Sequence, residues 1–172
     1  MHTVILLMIL ASTPATPAAS TEADPVAAVS AVLEDWHAAA AAADEARYFG
    51  HFAEEGVFLG TDGTERWTVE EFRRFAHPYF AKGKAWSFRP SDRHVSFSPD
   101  GSVAWFDEAL ATPNLGPCRG SGVLLRRGGA WKIAQYNLSV PIPNDLMDEV
   151  KKRIERYDKE KTSPPPSRKG RG

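Results

Sequence analysis

Arg119-Gly-Ser-Gly-Val-Leu-Leu-Arg-Arg127, then Gly128-Gly129, then Ala130-Trp-Lys-Ile-Ala-Gln-Tyr-Asn-Leu-Ser-Val140 is the stretch whose reading decides the fold. Two runs of β-forming residues flank a double glycine, which is the composition of a hairpin. The alternation extends toward the N-terminus. It predicts strands over Ala85–Arg89, Arg93–Ser98 and Ser102–Ala111, with a tight turn at Pro99-Asp-Gly101. Thr112 to Cys118 holds two prolines and a glycine and is expected to be a longer loop.

Upstream of the strands the period changes to that of helices. Asp24-Pro25 supplies an N-cap and a proline at the first helical position. Val26, Val29, Leu33 and Trp36 then recur at three- and four-residue spacing, followed by an alanine run to Ala43. Asp44 is expected to cap a second helix carrying Tyr48, Phe49 and Phe52, ending at Gly56. Val57-Phe-Leu59 reads as a short strand and Gly60-Thr-Asp-Gly63 as a turn. Thr68-Val-Glu-Glu71 is a capping box, so a third helix is predicted from Val69 to Ala81, with Phe72, Phe75, Ala76, Tyr79 and Phe80 on its apolar face. Helices first and an antiparallel meander afterwards is an α+β order. A last helix is expected after Asn144, docking through Leu146, Val150 and Ile154, with Met147 and Tyr157 on the same stripe.

Composition narrows the function classes. The chain has 172 residues, 42% hydrophobic and 25% charged, which suits one globular domain. A net charge of -1 gives no bulk electrostatic case for nucleic acid. The total hides an asymmetry: residues 151–172 carry nine basic and three acidic residues, against 12 and 19 in the rest. Cys118 is the single cysteine, so no internal disulfide exists. Val4 to Leu10 is a short apolar run before small residues and prolines, and it reads as a signal peptide over residues 1–20, cleaved near 18–21. The run is too short to span a bilayer and no cysteine follows it, so no stable membrane anchor is expected and the protein is read as periplasmic or secreted. The expected organisation is a domain over 24–144, an amphipathic helix over 145–161 and a disordered tail over 162–172.

Three segments resemble one family. Phe58-Leu-Gly-Thr-Asp-Gly-Thr-Glu-Arg-Trp67 is similar to a "GTD…E.W" turn, Gly129 to Ser139 to a terminal "G.W.I…S" strand, and Val140-Pro-Ile-Pro-Asn144 to the tail of a bacterial exported subgroup. Together they resemble the SnoaL-like, ketosteroid-isomerase-like branch of the NTF2-like superfamily. The resemblance implies a cone made of a curved antiparallel sheet and helices, with a pocket, and a homodimer through the outer sheet face. The family holds isomerases, cyclases and dehydratases as well as domains without chemistry, so the fold does not fix the function.

Candidate chemistry is sparse. Asp62 in the turn is either an Asx-turn residue or a polar group at the pocket mouth. Asp107 and Glu108 point to opposite faces of one strand, so one of them is covered and needs a partner. Arg119 on the next strand is the expected partner. These three carboxylates are the weak catalytic candidates. Tyr48, Asp62 and Asp107 follow the residue order of an isomerase site, but their spacings do not match one. The last strand sorts into Trp131, Ile133, Gln135, Asn137 and Ser139 on one face and Lys132, Ala134, Tyr136 and Leu138 on the other. Relatives often have His where Asn137 sits, so a general base is missing if that position faces the pocket. Trp67, Tyr79, Phe80 and Trp86 suit a core or an apolar pocket lining. Tyr48, Trp67, Trp86, Arg119, Gln135 and Asn137 are the expected ligand-facing residues. The five histidines show no metal-ligand spacing, His37 and His51 being the one pair on neighbouring helices, and neither metal nor cofactor is expected. Gly120-Ser-Gly122 lacks the context of a nucleophile elbow, and Cys118 has no base beside it.

Three readings remain. A binder of a small, largely apolar molecule predicts a neutralised pocket carboxylate. A cofactor-free isomerase, cyclase or dehydratase predicts an unpaired one with a raised pKa. A structural dimerisation domain predicts a cone filled by aromatic side chains.

Overall fold

A computed structural model describes residues 24–162. The expected signal segment and most of the expected tail lie outside these residues.

Helix α1 (Pro25–Ala41) begins where the Asp24 carboxylate accepts the Val26 N–H at 3.0 Å. It buries Val29, Leu33, Trp36 and His37 on one face. Ala43 at φ 52° breaks the chain direction, and Asp44 caps the short α2 (Glu45–Gly50) through the Arg47 N–H. The chain then extends immediately as β1 (Phe52–Leu59). The second helix was expected to run to Gly56, so Phe52 to Gly56 is a correction. The reason is tertiary: the His51 carbonyl accepts the Ile133 N–H at 2.8 Å and Phe52 pairs with Ile133, which draws this segment into the sheet. Gly56 is not a helix stop. A Cβ there would stand 2.9 Å from the Ala53 carbonyl and 3.1 Å from that of Ile133.

Strand β2 (Arg66–Thr68) pairs with β1 and leads into α3 (Val69–Ala81), whose capping box forms as predicted. The predicted strand over Ala85–Arg89 is absent until its last residue. The next strand is β3 (Arg89–Phe97), followed by β4 (Val103–Thr112), β5 (Gly116–Arg127) and β6 (Ala130–Ser139). The long loop expected over Thr112–Cys118 is a short turn instead. Gly116 at φ 72° closes it, and Pro117 sits at the start of β5, opposite Ala111.

The six strands form one sheet in the order β2-β1-β6-β5-β4-β3. All neighbours are antiparallel except β1 and β6, which run parallel. Irregularities curve the sheet around the helices. Between Ser91 and His94 two residues of β3 oppose one of β4, with Asp92 at φ 46°. In β6, Ala134 is the extra residue between the Ile133–Leu124 and Gln135–Val123 pairs. The enclosed core is dominated by aromatic rings: Trp36, Tyr48, Phe49, Phe52, Phe58, Phe72, Phe80 and Tyr136.

A 3₁₀ turn (Asn144–Leu146) leads into α4 (Met147–Thr162), and α4 buries no residue. Its expected docking on the body does not occur: Ile154 is 55% and Tyr157 60% exposed. No described helix is long and apolar enough to cross a membrane.

Candidate functional site

A cleft of about 410 Å³ opens at one end of the cone. Phe72, Phe75 and Tyr79 of α3 form one wall. Trp67 of β2 and Phe58 of β1 form a second, and Trp86 and Phe88 close the side. Leu138 of β6 and Thr112, Asn114 and Leu115 of the β4–β5 turn form the far rim. The rings are ordered against each other: Trp67 stacks on Phe75 at 4.7 Å and on Phe72 at 5.7 Å, and Phe72 stacks on Trp86 at 5.8 Å. A second depression at the opposite end, of about 660 Å³, is built largely from the turns at Ser98–Gly101 and Gly129 and has a more polar lining. The first cleft is the better candidate because rigid elements hold its walls.

Deeper along the inner face of β4, one inward-facing position below Leu110 and two below Thr112, stands Glu108. It is 1% exposed. One carboxylate oxygen lies 2.8 Å from His37 Nε2 and accepts the Tyr136 hydroxyl at 3.3 Å. The other accepts Arg93 Nε at 2.9 Å, with Arg93 Nη2 at 2.7 Å but out of hydrogen-bond alignment. Arg93 also donates to the Ser30 carbonyl at 3.1 Å, tying β3 to α1. Burial pushes the Glu108 carboxyl up, but the hydrogen bond and charge of His37 and the charge of Arg93 outweigh it, so the group lies below the ordinary glutamate value. Burial, and then the Glu108 charge, raise the Tyr136 phenol well above the ordinary tyrosine value. Gly120 makes room for this cluster, because a Cβ there would fall on the Tyr136 hydroxyl.

The bulges explain which side chains take part. The doubled Asp92–Arg93 position opposite Glu108 turns the Arg93 side chain inward. Arg119, the partner expected from sequence, is exposed and opposite Ala109 on the outer face. The extra Ala134 in β6 reverses the alternation after Ile133. Trp131, Ile133, Tyr136 and Leu138 therefore share the covered side, while Gln135 and Asn137 turn away from the cleft. The face assignment from strict alternation is thus corrected beyond Ile133. Asn137 does not occupy a pocket-facing base position.

The other candidates fall as follows. Trp67 and Trp86 line the cleft. Tyr48 lies behind it, 1% exposed, its ring 5.7 Å from that of Trp86 and its hydroxyl without a well-formed hydrogen bond. Burial raises its pKa well above the ordinary tyrosine value. Asp107 is exposed, 3.5 Å from His94. Asp62 accepts the Thr64 N–H at 2.8 Å and the Thr64 hydroxyl at 2.6 Å, and these bonds lower its pKa. His37 and His51 do not meet as a pair; His51 lies 2.7 Å from Asp35. No group of residues suited to a metal occurs among the described residues. Sequence reasoning missed Arg93 and the roles of His37 and Tyr136. For His37 a signal existed: it stands four residues after Leu33 on the apolar side of α1. For Arg93 none did, since nothing in the local pattern marks the bulge.

A cone of this architecture, with its cleft at the open end, defines an NTF2-like protein. The model of the SnoaL-like domain matches residues 29–143, and the chain belongs to that family. Among solved structures it is similar to an NTF2-like protein of unknown function from Pseudomonas putida (14% identity, 72% of this chain and 92% of that one, TM-score 0.58). It is also similar to a protein of unknown function from Mycobacterium tuberculosis (21%, 70% and 74%, TM-score 0.58). A third is a Novosphingobium aromaticivorans protein provisionally named a scytalone dehydratase (10%, 68% and 84%, TM-score 0.57). At these identities the likeness concerns the fold. No curated protein matches the chain.

Proposed function

We propose that this protein binds a small, largely apolar molecule in the aromatic cleft and does not turn it over. One observation carries the reading: the cleft is open, while the carboxylate beneath it is saturated. Glu108 holds contacts from His37, Arg93 and Tyr136 and a lowered pKa, so it is a poor proton acceptor for a substrate. Asp107 faces away, and Asp62 is engaged in its own turn. The open cleft also distinguishes the protein from a cone filled for structure alone.

The same reading makes the protein an exported homodimer. The apolar run Val4–Leu10 supports export. Trp105, 48% exposed on the outer sheet face, supports an interface there. Native mass spectrometry after purification from an exporting host tests all three parts at once. The expected species is a dimer that lacks the first 18 to 21 residues and carries added small-molecule mass. A monomer with its N-terminus intact would overturn the dimer and export parts. Absence of retained mass, together with no binding of neutral, cationic or anionic aromatic probes, would overturn the binding part.

A further inference from the structure

The cleft has a charge signature besides its apolar walls. None of its lining residues is Lys, Arg or His, and the one charged group among them is Glu65. That carboxylate is seated by the turn before β2. One oxygen accepts the Asp62 N–H at 3.2 Å, and the space above Gly60 holds it, because a Cβ at Gly60 would fall on it. No cation stands within 4.0 Å of Glu65 among the described residues. The neighbouring acid, Asp62, is instead occupied by Thr64 and lies in the field of Lys161. The lining that shares the cleft with Glu65 is largely aromatic, with Trp67 and Phe75 stacked at 4.7 Å and Tyr79 and Trp86 inclined at 60°.

Ring faces carry negative quadrupole potential and attract cations. A neutral ligand gains apolar contact and hydrogen bonds from such a cleft but no attraction between charges, and an anion is opposed by Glu65. We infer that the cleft selects an organic cation, a substituted ammonium group carrying an aryl or alkyl body, with the ammonium end at Glu65 and the body against Phe72 and Trp86. This inference rests on the cleft-binding reading above and adds the ligand's charge.

The test compares isosteres. Trimethylphenylammonium and tert-butylbenzene have the same shape and differ by one charge, and benzoate supplies the opposite sign. Each is titrated by ligand-observed NMR into the full chain at low and high salt. The expected result is about three- to tenfold tighter binding of the cation than of the neutral isostere. That preference should shrink at high salt, and benzoate should bind weakest. Glu65→Gln keeps an oxygen for the Asp62 N–H and should reduce the preference to about twofold or less. Equal or tighter binding of tert-butylbenzene, or a preference unchanged by both salt and E65Q, overturns the cation inference and leaves cleft binding standing. Silence from all three probes overturns both. The salt series on the unaltered protein does not depend on whether the variant folds.

Discussion

The floor and the mouth of the cone solve opposite problems. At the floor, buried Glu108, His37 and Tyr136 and half-buried Arg93 engage one another across three strands and α1. At the mouth, aromatic rings packed on one another and one carboxylate line an open cleft. A buried charge is tolerated only when partnered, and breaking such a pair costs more than the pair contributes. An open aromatic surface gains chiefly when something covers it. The difference teaches where to look for a ligand: the buried cluster is engaged within the fold, and the open cleft is the candidate site.

The largest expected effect is at the floor. Arg93→Ala leaves Glu108 buried with its guanidinium partner gone, and urea unfolding should show a loss of about 3–5 kcal/mol. Arg119→Ala, the same change on the exposed outer face, should stay within about 0.5 kcal/mol. Equal effects would erase the distinction between the two arginines. Gly120→Ala should cost about 1–3 kcal/mol by crowding the Tyr136 hydroxyl. Tyr136→Phe should recover part of that loss in the double variant, because it removes the atom that clashes.

Acid should weaken the fold through its paired carboxylates. Glu108 and Asp35 both titrate below their ordinary values when folded, Asp35 at about 2. Hydrogen bonding to Arg47 is the chief cause for Asp35, with His51 adding to it. A depressed folded pKa contributes stability that is present above the unfolded value and lost as pH falls through the folded one. Unfolding midpoints should therefore decline below about pH 4.5, the Asp35 part falling between 3.8 and about 2. Glu108→Gln should flatten the upper part of that decline. A stability profile that is flat from pH 5 to 3 would contradict the ion pairing at the floor.

At the mouth the sign of the trade reverses. Phe75 is 44% exposed and lines the cleft. Phe75→Ala should weaken trimethylphenylammonium binding about five- to tenfold in the NMR titration. It should change stability by about 1 kcal/mol or less. The smallest effect is expected from ending the chain at residue 143. Because α4 buries no residue, the thermal midpoint should move by only a degree or two, a shift of about 0.5 kcal/mol.

The legibility of this chain follows the range of the interactions involved. The capping box at Thr68–Glu71, the caps at Asp24 and Asp44 and the hairpin at Gly128-Gly129 are decided within a few residues, and the structure has all of them. The family could be read from three short segments because they mark such local features. Trp67 and Trp86 were legible as lining because large aromatics near a helix with an apolar face have few other places to go. The failures share one cause. A bulge shifts the two-residue alternation by one, and every side chain beyond it changes face. Ala134 therefore carried Asn137 and Gln135 outward and Tyr136 inward, and Asp92 brought Arg93 in place of Arg119. Neither residue announces this, because the bulge answers to the partner strand. The stretch from Phe52 to Gly56 failed similarly: its aromatic spacing suits a helix, but the open edge of β6 claims it for the sheet.

By itself, then, the sequence determined the element order, the α+β class, the helix boundaries of α1 and α3 and the aromatic character of the cleft, because caps, turns and periodicity act over a few bonds. Only the tertiary structure decided which carboxylate is buried, which arginine neutralises it and which residues of β6 face inward. Those outcomes depend on register between strands far apart in the chain, and register is fixed by packing one curved sheet around one set of helices.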